Sequence, residues 1–507
     1  MYSFITVCLY WDLSSYSGCI QMYSFIAVCL YWDLGPSIRL HWWNHFFLGL
    51  YIVLYFFYLQ EAVMEEEEER HLPLDIIYKI PEYISDPVSL ARVASSSKLW
   101  RSIIKETAFL DGLMTRHLDH GFTSSLLLGF FYQDSAEAPD HLWQHHRDKN
   151  RCLAPSFMPT SELLPFAGCK EGYNPTSPLS LGNFIQGINS SLNFYEPVAS
   201  QDSFLVLCHH SKDAEGDPKP DVVCVCNPLT GKVFHLPGLP YKPPHHYALL
   251  VTDDINLDGR MTQSFRLVAI WNIVKKFIYV YYCSKRRAWW RPAGFPDLMA
   301  GLFLVSSSPA AASHGAIHWI CGCWKSLAPS HVVTLHVDGE ELLYLELPSE
   351  AKRNKTLLLA NSVDGGLLLL LMKGLHMSVW KHKGTGTGNW VRSETINMTS
   401  SLPMRVLKMH ASAKIRLEIF RGKSGVVVLW IEGEGLFTFS LGDRSMRKID
   451  NEHVTKKYRF CPYEIDWLSC LAVTNLVSDG SLSLDTEREK AQCRWRSLLA
   501  NNIPKSR

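Results

Sequence analysis

The sequence predicts a multidomain protein in which a small all-α module precedes a larger all-β domain. Two observations carry this prediction. Apolar residues recur with the spacing of short helices over residues 72–117. Residues 118–480 consist of short runs rich in β-branched and aromatic residues, separated by Gly, Pro, Asp and Ser. The length of 507 residues also exceeds that of one ordinary domain.

Composition limits the partners and sites that are expected. With 50 Lys and Arg against 49 Asp and Glu, the net charge is +1, which argues against nucleic acid as a main partner. Two cysteine pairs, Cys224/Cys226 and Cys321/Cys323, lie on apolar runs with C-x-C spacing, unlike the repeated C-x-x-C of a zinc site. We interpret them as core residues in a reducing compartment, and we expect no metal and no cofactor.

Residues 1–63 form a hydrophobic extension that has two alternative interpretations. The extension contains two nearly identical copies of "MYSFITVCLYWDL". Residues 40–60 contain no Lys, Arg, Asp or Glu and are long enough to cross a bilayer, which favours a membrane anchor. Alternatively, residues 1–63 are not part of the working protein, because Met64 opens an acidic leader (64–71) with the features of a natural start.

Four short helices are expected within residues 72–117. Asp86 and Pro87 suit the N-cap and first position of the second helix. The apolar faces of the first three helices consist of Ile76, Ile77, Ile80 and Ile84, then Leu90, Val93 and Ala94, then Leu99, Trp100, Ile103 and Ile104. A module of this size has too little core to be robust alone, so we expect a neighbour or partner chain to complete it.

The segment "LPLDIIYKIPEYISDPVSLARVASSSKLWRSII" resembles an F-box. It carries a Leu-Pro pair, an acidic residue, paired aliphatic residues, a central Asp86 and the pattern Trp-Arg-x-x-Ile beginning at Trp100. It departs from the family pattern at Ser96-Ser97 and at Pro81, which occupies the position of a helix-compatible aliphatic residue. The resemblance implies binding to a Skp-type adaptor, which joins F-box proteins to a cullin and its RING subunit.

Docking of this kind is helix packing into an apolar groove, with aliphatic side chains at helical spacing as the contacts. The predicted adaptor-binding residues are Leu72, Pro73, Ile76, Ile77, Ile80 and Leu90. The predicted core of the F-box module consists of Val93, Trp100, Ile103 and Ile104.

A repeated phrase organises the β-rich domain. A strand ends, a polar turn follows, and a second strand begins, as in "VCVCNPLTGKVFHLP", "VYYCSKRRAWWRP", "LHVDGEELLYLELP", "SVWKHKGTGTGNWVRS" and "FTFSLGDRSMRKID". The phrases recur at intervals typical of kelch-like propeller blades. We interpret them as the outer hairpins of successive blades, and about six blades fit residues 118–480, the first of them including residues 126–133. Residues 481–507 are a polar tail.

A second resemblance concerns this domain. Residues 227–237, "NPLTGKVFHLP", and residues 314–320, "HGAIHWI", are similar to the F-box-associated domains of plant F-box proteins. Those domains resemble kelch-type propellers and hold the substrate. The order of the two resemblances along the chain, F-box first, is that of such proteins.

Known catalytic patterns are missing from the sequence. The Gly-rich residues 383–389 lie between predicted strands, so we interpret them as a hairpin turn and not as a phosphate-binding loop. Adjacent histidines such as His209 and His210 point to opposite faces of a strand and cannot chelate a metal from one side. The basic turn 285–287 beside Trp289 is too short a feature to predict nucleic-acid binding.

The predicted function is that of a substrate-recognition subunit of an SCF-type (Skp–cullin–F-box) E3 ubiquitin ligase, without catalytic activity of its own. The F-box would bind the Skp-type adaptor and the propeller an unknown protein substrate, in the cytoplasm or nucleus. Two alternatives remain open: a membrane-tethered F-box receptor anchored through residues 40–60 with its F-box facing the cytosol, and a propeller interaction protein outside the ubiquitin system. A propeller enzyme is disfavoured by the lack of a convergent catalytic or metal-binding set.

Overall fold

The computed structural model describes most of residues 121–465 and scattered positions between 79 and 115. Within 121–465 the main gaps are 135–153, 161–178, 186–191, 210–220, 256–260, 291–300, 384–388, 409–413 and 451–457. Predictions for the following residues lie outside the described part: Leu72, Pro73, Ile76, Ile77, Ile80, Val93, the extension 1–63, the leader 64–71 and the tail 481–507. Every described residue belongs to one compact unit, Tyr78–Arg507.

Helix α1 (Lys98–Ile104) coincides with the third expected helix of the F-box-like segment. Trp100, Ile103 and Ile104 are buried, and so is Leu90. The expectation that Leu99 is also buried is wrong, because its side chain is 43% exposed. Trp100, Ile103 and Ile104 share one stripe at positions i, i+3 and i+4, whereas Leu99 lies roughly 90° around the helix from the centre of that stripe. No described helix is long and apolar enough to cross a membrane.

The β domain consists of six antiparallel sheets, which we number as blades 1 to 6. Blade 1 contains β1 (Leu127–Asp134), β2 (Ser156–Pro159) and β3 (Leu179–Ser180). Blade 2 contains β4 (Glu196–Gln201), β5 (Phe204–His209), β6 (Val222–Asn227) and β7 (Lys232–His235). Blade 3 contains β8 (His246–Ile255), β9 (Met261–Ile273), β10 (Lys276–Cys283) and β11 (Ala288–Trp290).

The second half of the domain continues this order. Blade 4 contains β12 (Leu302–Leu304), β13 (Ala311–Ser313), β14 (Ala316–Cys323), β15 (Ala328–His336) and β16 (Glu341–Glu346). Blade 5 contains β17 (Leu357–Asn361), β18 (Leu367–Lys373), β19 (His376–His382) and β20 (Trp390–Asn397), and the short helix α2 (Met404–Lys408) follows it. Blade 6 contains β21 (Ile415–Arg421), β22 (Val426–Ile431), β23 (Gly435–Ser440) and β24 (Met446–Asp450). The last strand, β25 (Tyr458–Glu464), returns to blade 1 and pairs with β1.

The six blades form a closed ring. Neighbouring blades touch through the strands at their first position: β4 contacts β8, β8 contacts β13, β13 contacts β17, β17 contacts β21, β21 contacts β25, and β25 contacts β4. A closed cycle of antiparallel blades, here five of four strands and one of five, is a β-propeller. The expectation of an all-β, propeller-like domain with about six blades is therefore confirmed, and β1 confirms the expected strand of the first blade.

The repeated phrases of the sequence are the outer hairpins of the blades. They form the pairs β6–β7, β10–β11, β15–β16, β19–β20 and β23–β24, which join the third and fourth strands of blades 2 to 6. The Gly-rich residues 383–389 connect β19 to β20, as expected for a hairpin turn.

Apolar side chains fill the spaces between neighbouring blades. One cluster, for example, combines Leu358, Leu370 and Met377 of blade 5 with Leu429 and Phe439 of blade 6. Burial of apolar area between sheets is the main contribution to the stability of such a ring.

The cysteines contribute to this core. Cys224, Cys226 and Cys321 are fully buried free thiols, which confirms their interpretation as core residues. Cys323 is only half-buried, because it ends β14 beside an exposed turn.

A buried polar cluster fastens the closing strand β25 between blades 6 and 2. The Arg421 guanidinium donates hydrogen bonds to the Ser200 carbonyl oxygen (2.8 Å) and to Ser200 Oγ (2.6 Å). The Glu464 carboxylate accepts the backbone N–H of Ser424 at 2.6 Å. Burial raises the pKa of Glu464, and the nearby Arg421 lowers it. We refer to Ser200, Arg421, Ser424 and Glu464 as the closure cluster, since it joins three blades at the point where the ring closes.

Candidate interaction site

Turns at the two ends of the propeller present different surfaces. Because strands in each blade are antiparallel, turns between first and second strands share one end with turns between third and fourth strands. Turns between second and third strands lie at the other end, with the connections between blades. The turn Trp324–Leu327, which joins β14 to β15 in blade 4, lies at this second end, and all four of its residues are exposed.

The backbone of this turn is strained at Leu327. The Leu327 N–H donates to the Cys323 carbonyl oxygen at 2.8 Å, and Leu327 adopts a positive φ of 52°. Three other hairpin turns have the same hydrogen bond. Two of them place glycine at the corresponding position, Gly231 with φ of 70° and Gly425 with φ of 66°, and the third places Arg287 there with φ of 54°. A branched side chain in this left-handed region costs roughly 1–2 kcal/mol.

Burial does not offset this strain. The Leu327 side chain is 72% exposed, the largest exposed fraction among the exposed large apolar residues that the structure describes. Glycine would give the same turn more stability, and a polar residue would be better solvated. Neither burial nor backbone preference accounts for an exposed leucine in this strained conformation, which makes it a candidate for function.

Trp324 is held in a fixed orientation although it is 44% exposed. Its indole Nε1 donates to the Leu302 carbonyl oxygen at 3.0 Å, and its backbone N–H donates to the Gly301 carbonyl oxygen at 2.9 Å. The Phe303 ring lies 4.9 Å from the Trp324 ring, centroid to centroid. Phe303 lies over Gly322, where an added Cβ would come within 2.4 Å of the ring. A rigid, half-exposed tryptophan is typical of residues that dominate binding energy at interfaces.

Two exposed lysines lie on second-to-third-strand turns at this end of the propeller. Lys325 lies within the turn and is exposed. Lys373 lies at the β18–β19 turn, the equivalent turn of blade 5, and is also exposed. Neither lysine forms an ion pair with a described side chain, whereas Lys352 and Lys381 at other positions do. We define Trp324, Lys325 and Leu327 as the blade 4 turn surface.

Other chemically active side chains in the described part of the chain serve the core. Tyr247 donates its hydroxyl to Asp221 at 2.8 Å, and Cys208 Sγ lies 3.7 Å from the same hydroxyl. Burial, followed by the charge of Asp221, raises the pKa of Cys208, and burial raises the pKa of Cys224 to about 12. These thiols are therefore protonated and weakly nucleophilic at neutral pH. The described residues contain no group of three or more His, Cys, Asp or Glu side chains that could hold a metal ion.

A buried histidine in blade 4 is kept neutral. His318 Nδ1 lies 2.8 Å from Thr334 Oγ1 on the neighbouring strand. Burial, and then the charges of His336, His382 and His314, lower the pKa of His318 to about 4. The ring therefore remains uncharged in the folded protein over the whole physiological range.

This neutral histidine predicts loss of stability in acid. An unfolded histidine has a pKa near 6.5, so between pH 6.5 and 4 the unfolded state binds more protons than the folded state. The contribution of neutral His318 to the free energy of unfolding is fully present above pH 6.5 and falls as the pH drops. We expect a loss of about 2 kcal/mol between pH 6.5 and 5 that is absent from His318→Asn, measured by urea unfolding at both values. Equal pH dependence in the two proteins would contradict the assignment.

The sequence-predicted site residues and this surface occupy different parts of the chain. Of the predicted adaptor-binding and F-box core residues, the structure describes Leu90, Trp100, Ile103 and Ile104, all of them buried. Their roles stay predictions. The blade 4 turn surface was not among the predicted sites, because apolar periodicity reports neither a positive φ nor the exposure of one turn.

Comparison with known proteins identifies one family. Residues 166–476 match the family described as "Domain of unknown function (DUF7595)", and no curated protein matches the chain. Structural similarity is weak. An apo prolyl oligopeptidase B from Galerina marginata has 10% identity over 54% of this chain and 36% of its own, with a TM-score of 0.28. The GH74 xyloglucanase from Xanthomonas campestris has 10% identity over 57% of this chain and 50% of its own, with a TM-score of 0.26.

These two solved structures thus align over half of their own length or less. The family match, in contrast, begins before blade 2 and extends beyond β25, so it includes blades 2 to 6 and the closing strand. It covers more than half of the chain. The protein therefore belongs to the family that carries this domain of unknown function, DUF7595.

Proposed function

We propose that this protein is the substrate-recognition subunit of an SCF-type E3 ubiquitin ligase. The propeller itself suggests a protein-interaction role. The observation that carries the finer proposal is the order of the chain: a segment that resembles an F-box stands directly before a closed propeller. The burial of Trp100, Ile103 and Ile104 on one face of α1 is compatible with the motif.

In this proposal the protein performs no bond chemistry. Ile76, Ile77 and Ile80 insert into an apolar groove of a Skp-type adaptor, which connects the chain to a cullin and a RING subunit. The propeller holds the target, so that a target lysine is kept at high effective concentration near the charged E2 enzyme. The complex acts in the cytoplasm or nucleus. Tethering through residues 40–60 stays an alternative prediction.

Adaptor binding is the direct test. We expect the full chain to bind a purified Skp-type adaptor, and Ile77→Asp to weaken binding at least tenfold, because a carboxylate at an apolar contact must be desolvated. Ile77→Val, which keeps an aliphatic side chain, is the matched control and should bind nearly as well as the native chain. Affinities are measured by biolayer interferometry.

Two outcomes would contradict this proposal. The native chain fails to bind any Skp-type adaptor offered, or Ile77→Asp binds as tightly as Ile77→Val. Either result would leave the protein as a propeller interaction protein that acts outside the ubiquitin system.

A further inference from the structure

We propose that the blade 4 turn surface is the docking site for an extended peptide segment of a partner protein, in which an apolar side chain is flanked by carboxylates. This inference rests on the proposed function in so far as the partner is the target for ubiquitination. The docking chemistry itself requires only the propeller.

The first argument is the unfavourable conformation of Leu327. Its positive φ and its 72% exposure both reduce the stability of the fold. The equivalent positions carry glycine at Gly231 and Gly425 and an exposed, charged side chain at Arg287, so Leu327 is the apolar side chain among the four described turns of this kind. A partner that covers this side chain would remove its apolar surface from water and so offset the cost of the strained backbone.

The second argument is that the Trp324 side chain is already held in one orientation before a partner binds. Its indole N–H is already satisfied by the Leu302 carbonyl oxygen, and its ring is supported by Phe303. A partner can therefore cover the exposed part of this ring without desolvating an unpaired donor or immobilising a free side chain. Both effects favour affinity.

The third argument is charge, which selects the partner chemistry. Lys325 lies between the two apolar residues, Lys373 lies at the equivalent turn of the next blade, and neither has an ion-pair partner among the described side chains. A peptide with carboxylates beside its apolar residue complements this arrangement, whereas a basic peptide is repelled by it.

The remaining exposed apolar residues do not form a comparable site. Four of them lie on the outermost strands of blades 2 to 5, one to each strand: Phe234, Trp290, Leu343 and Val391. Leu99 and Met404 lie on the helices α1 and α2, and Val222 begins β6. None of them has a positive φ. Single exposed apolar residues on a surface are ordinary. The blade 4 turn is distinguished because its strained residue is itself apolar and exposed, whereas the strained residue of the corresponding blade 3 turn is the charged Arg287.

The test begins with peptide selection on the full-length protein. A phage library of random twelve-residue peptides is panned on the native chain, and we expect enrichment of sequences with Leu, Phe or Trp beside Asp or Glu. A fluorescent synthetic peptide of the consensus then measures affinity by anisotropy. Leu327→Gly should weaken binding at least tenfold while raising the Tm by about 2 °C, because it removes both the contact and the strain.

Arg287→Gly is the matched control. The Arg287 N–H donates to the Cys283 carbonyl oxygen at 2.8 Å, the same hydrogen bond as in the Leu327 turn, and Arg287 has a φ of 54°. Arg287 nevertheless lies at the opposite end of the propeller. This variant should also raise the Tm, yet leave peptide affinity unchanged. Lys325→Glu should reverse the preference for acidic peptides.

Three results would overturn the inference: no enriched peptide, a consensus without carboxylates, or equal affinity in Leu327→Gly and the native chain. Adaptor binding measured on the same Leu327→Gly protein separates the two proposals. We expect it to be unchanged, and a protein that binds the peptide but no adaptor would refute the ubiquitin-ligase function while leaving the docking site in place.

Discussion

Replacement of Arg421 by methionine is expected to lower the free energy of unfolding by about 3–5 kcal/mol. The native guanidinium reaches from blade 6 to Ser200 of blade 2 and binds both its carbonyl oxygen and its hydroxyl. Methionine has a similar length but donates no hydrogen bond, so these acceptors lose a charged donor and the buried Glu464 loses its compensating cation. Guanidinium chloride unfolding at pH 7 measures the change.

The loss in Arg421→Met should become smaller in acid. Burial raises the pKa of Glu464, while Arg421 holds it down, so removing Arg421 raises it further. A carboxyl whose folded pKa exceeds its unfolded value binds more protons in the folded state, and stability then falls as the pH rises through that window. Lowering the pH from 7 to 5 should therefore recover part of the lost stability. Since His318 acts equally in both proteins, its effect cancels in the difference.

Glu464→Gln provides the control for this interpretation. Combined with Arg421→Met, it removes the buried charge, keeps an oxygen that accepts the Ser424 N–H, and should restore part of the stability at pH 7. A loss below about 1 kcal/mol in Arg421→Met, or a loss that is the same at pH 5 and pH 7, would show that the closure cluster does not fasten the ring.

The middle strands of the blades were predictable from the sequence because both of their edges and both of their faces are buried. The short β-rich runs of the sequence include the second and third strands of blades 2 to 6, for example β5 and β6, or β22 and β23. Continuous apolar runs are typical of strands buried on both faces. The repeated outer hairpins were recognisable through their polar turns.

The first strands of the blades escaped prediction, since they are edge strands and several of them, such as β4, have polar or irregular sequences. β4 contains Pro197 and β25 contains Pro462, and proline is accepted where one edge of a strand needs no hydrogen-bond partner. The return of β25 to β1 joins positions more than 300 residues apart, as in the pair Phe131 and Cys461. No local pattern reports such a pairing.

The candidate site shows a different limit of sequence interpretation. Leu327 and Trp324 are apolar residues near the end of an apolar run, and the sequence alone offers no reason to separate them from the core. Their significance depends on a backbone angle and on exposure, which follow from the hairpin geometry of β14 and β15. The same holds for Arg421 and Glu464, whose relation arises from ring closure.

Gly425→Ala is expected to lower the free energy of unfolding by about 3 kcal/mol or more, for two independent reasons. Gly425 has a φ of 66°, which alone costs an alanine about 1 kcal/mol. In addition, an added Cβ would lie 2.2 Å from Phe122 Cγ and 2.5 Å from Phe122 Cβ. Phe122 cannot move away easily, because the next residue, Thr123, donates its N–H to the Lys423 carbonyl oxygen at 3.0 Å.

Gly231→Ala separates these two contributions. Gly231 ends the same kind of turn with a φ of 70°, but no atom lies within 4 Å of its added Cβ, so only the backbone term of about 1 kcal/mol remains. The difference between the two alanine variants, measured by urea unfolding, is the energy of the contact between the blade 6 turn and Phe122. If both variants lose the same amount, the segment before β1 does not pack against blade 6, and the hydrogen bonds of the closure cluster must hold the ring closed without it.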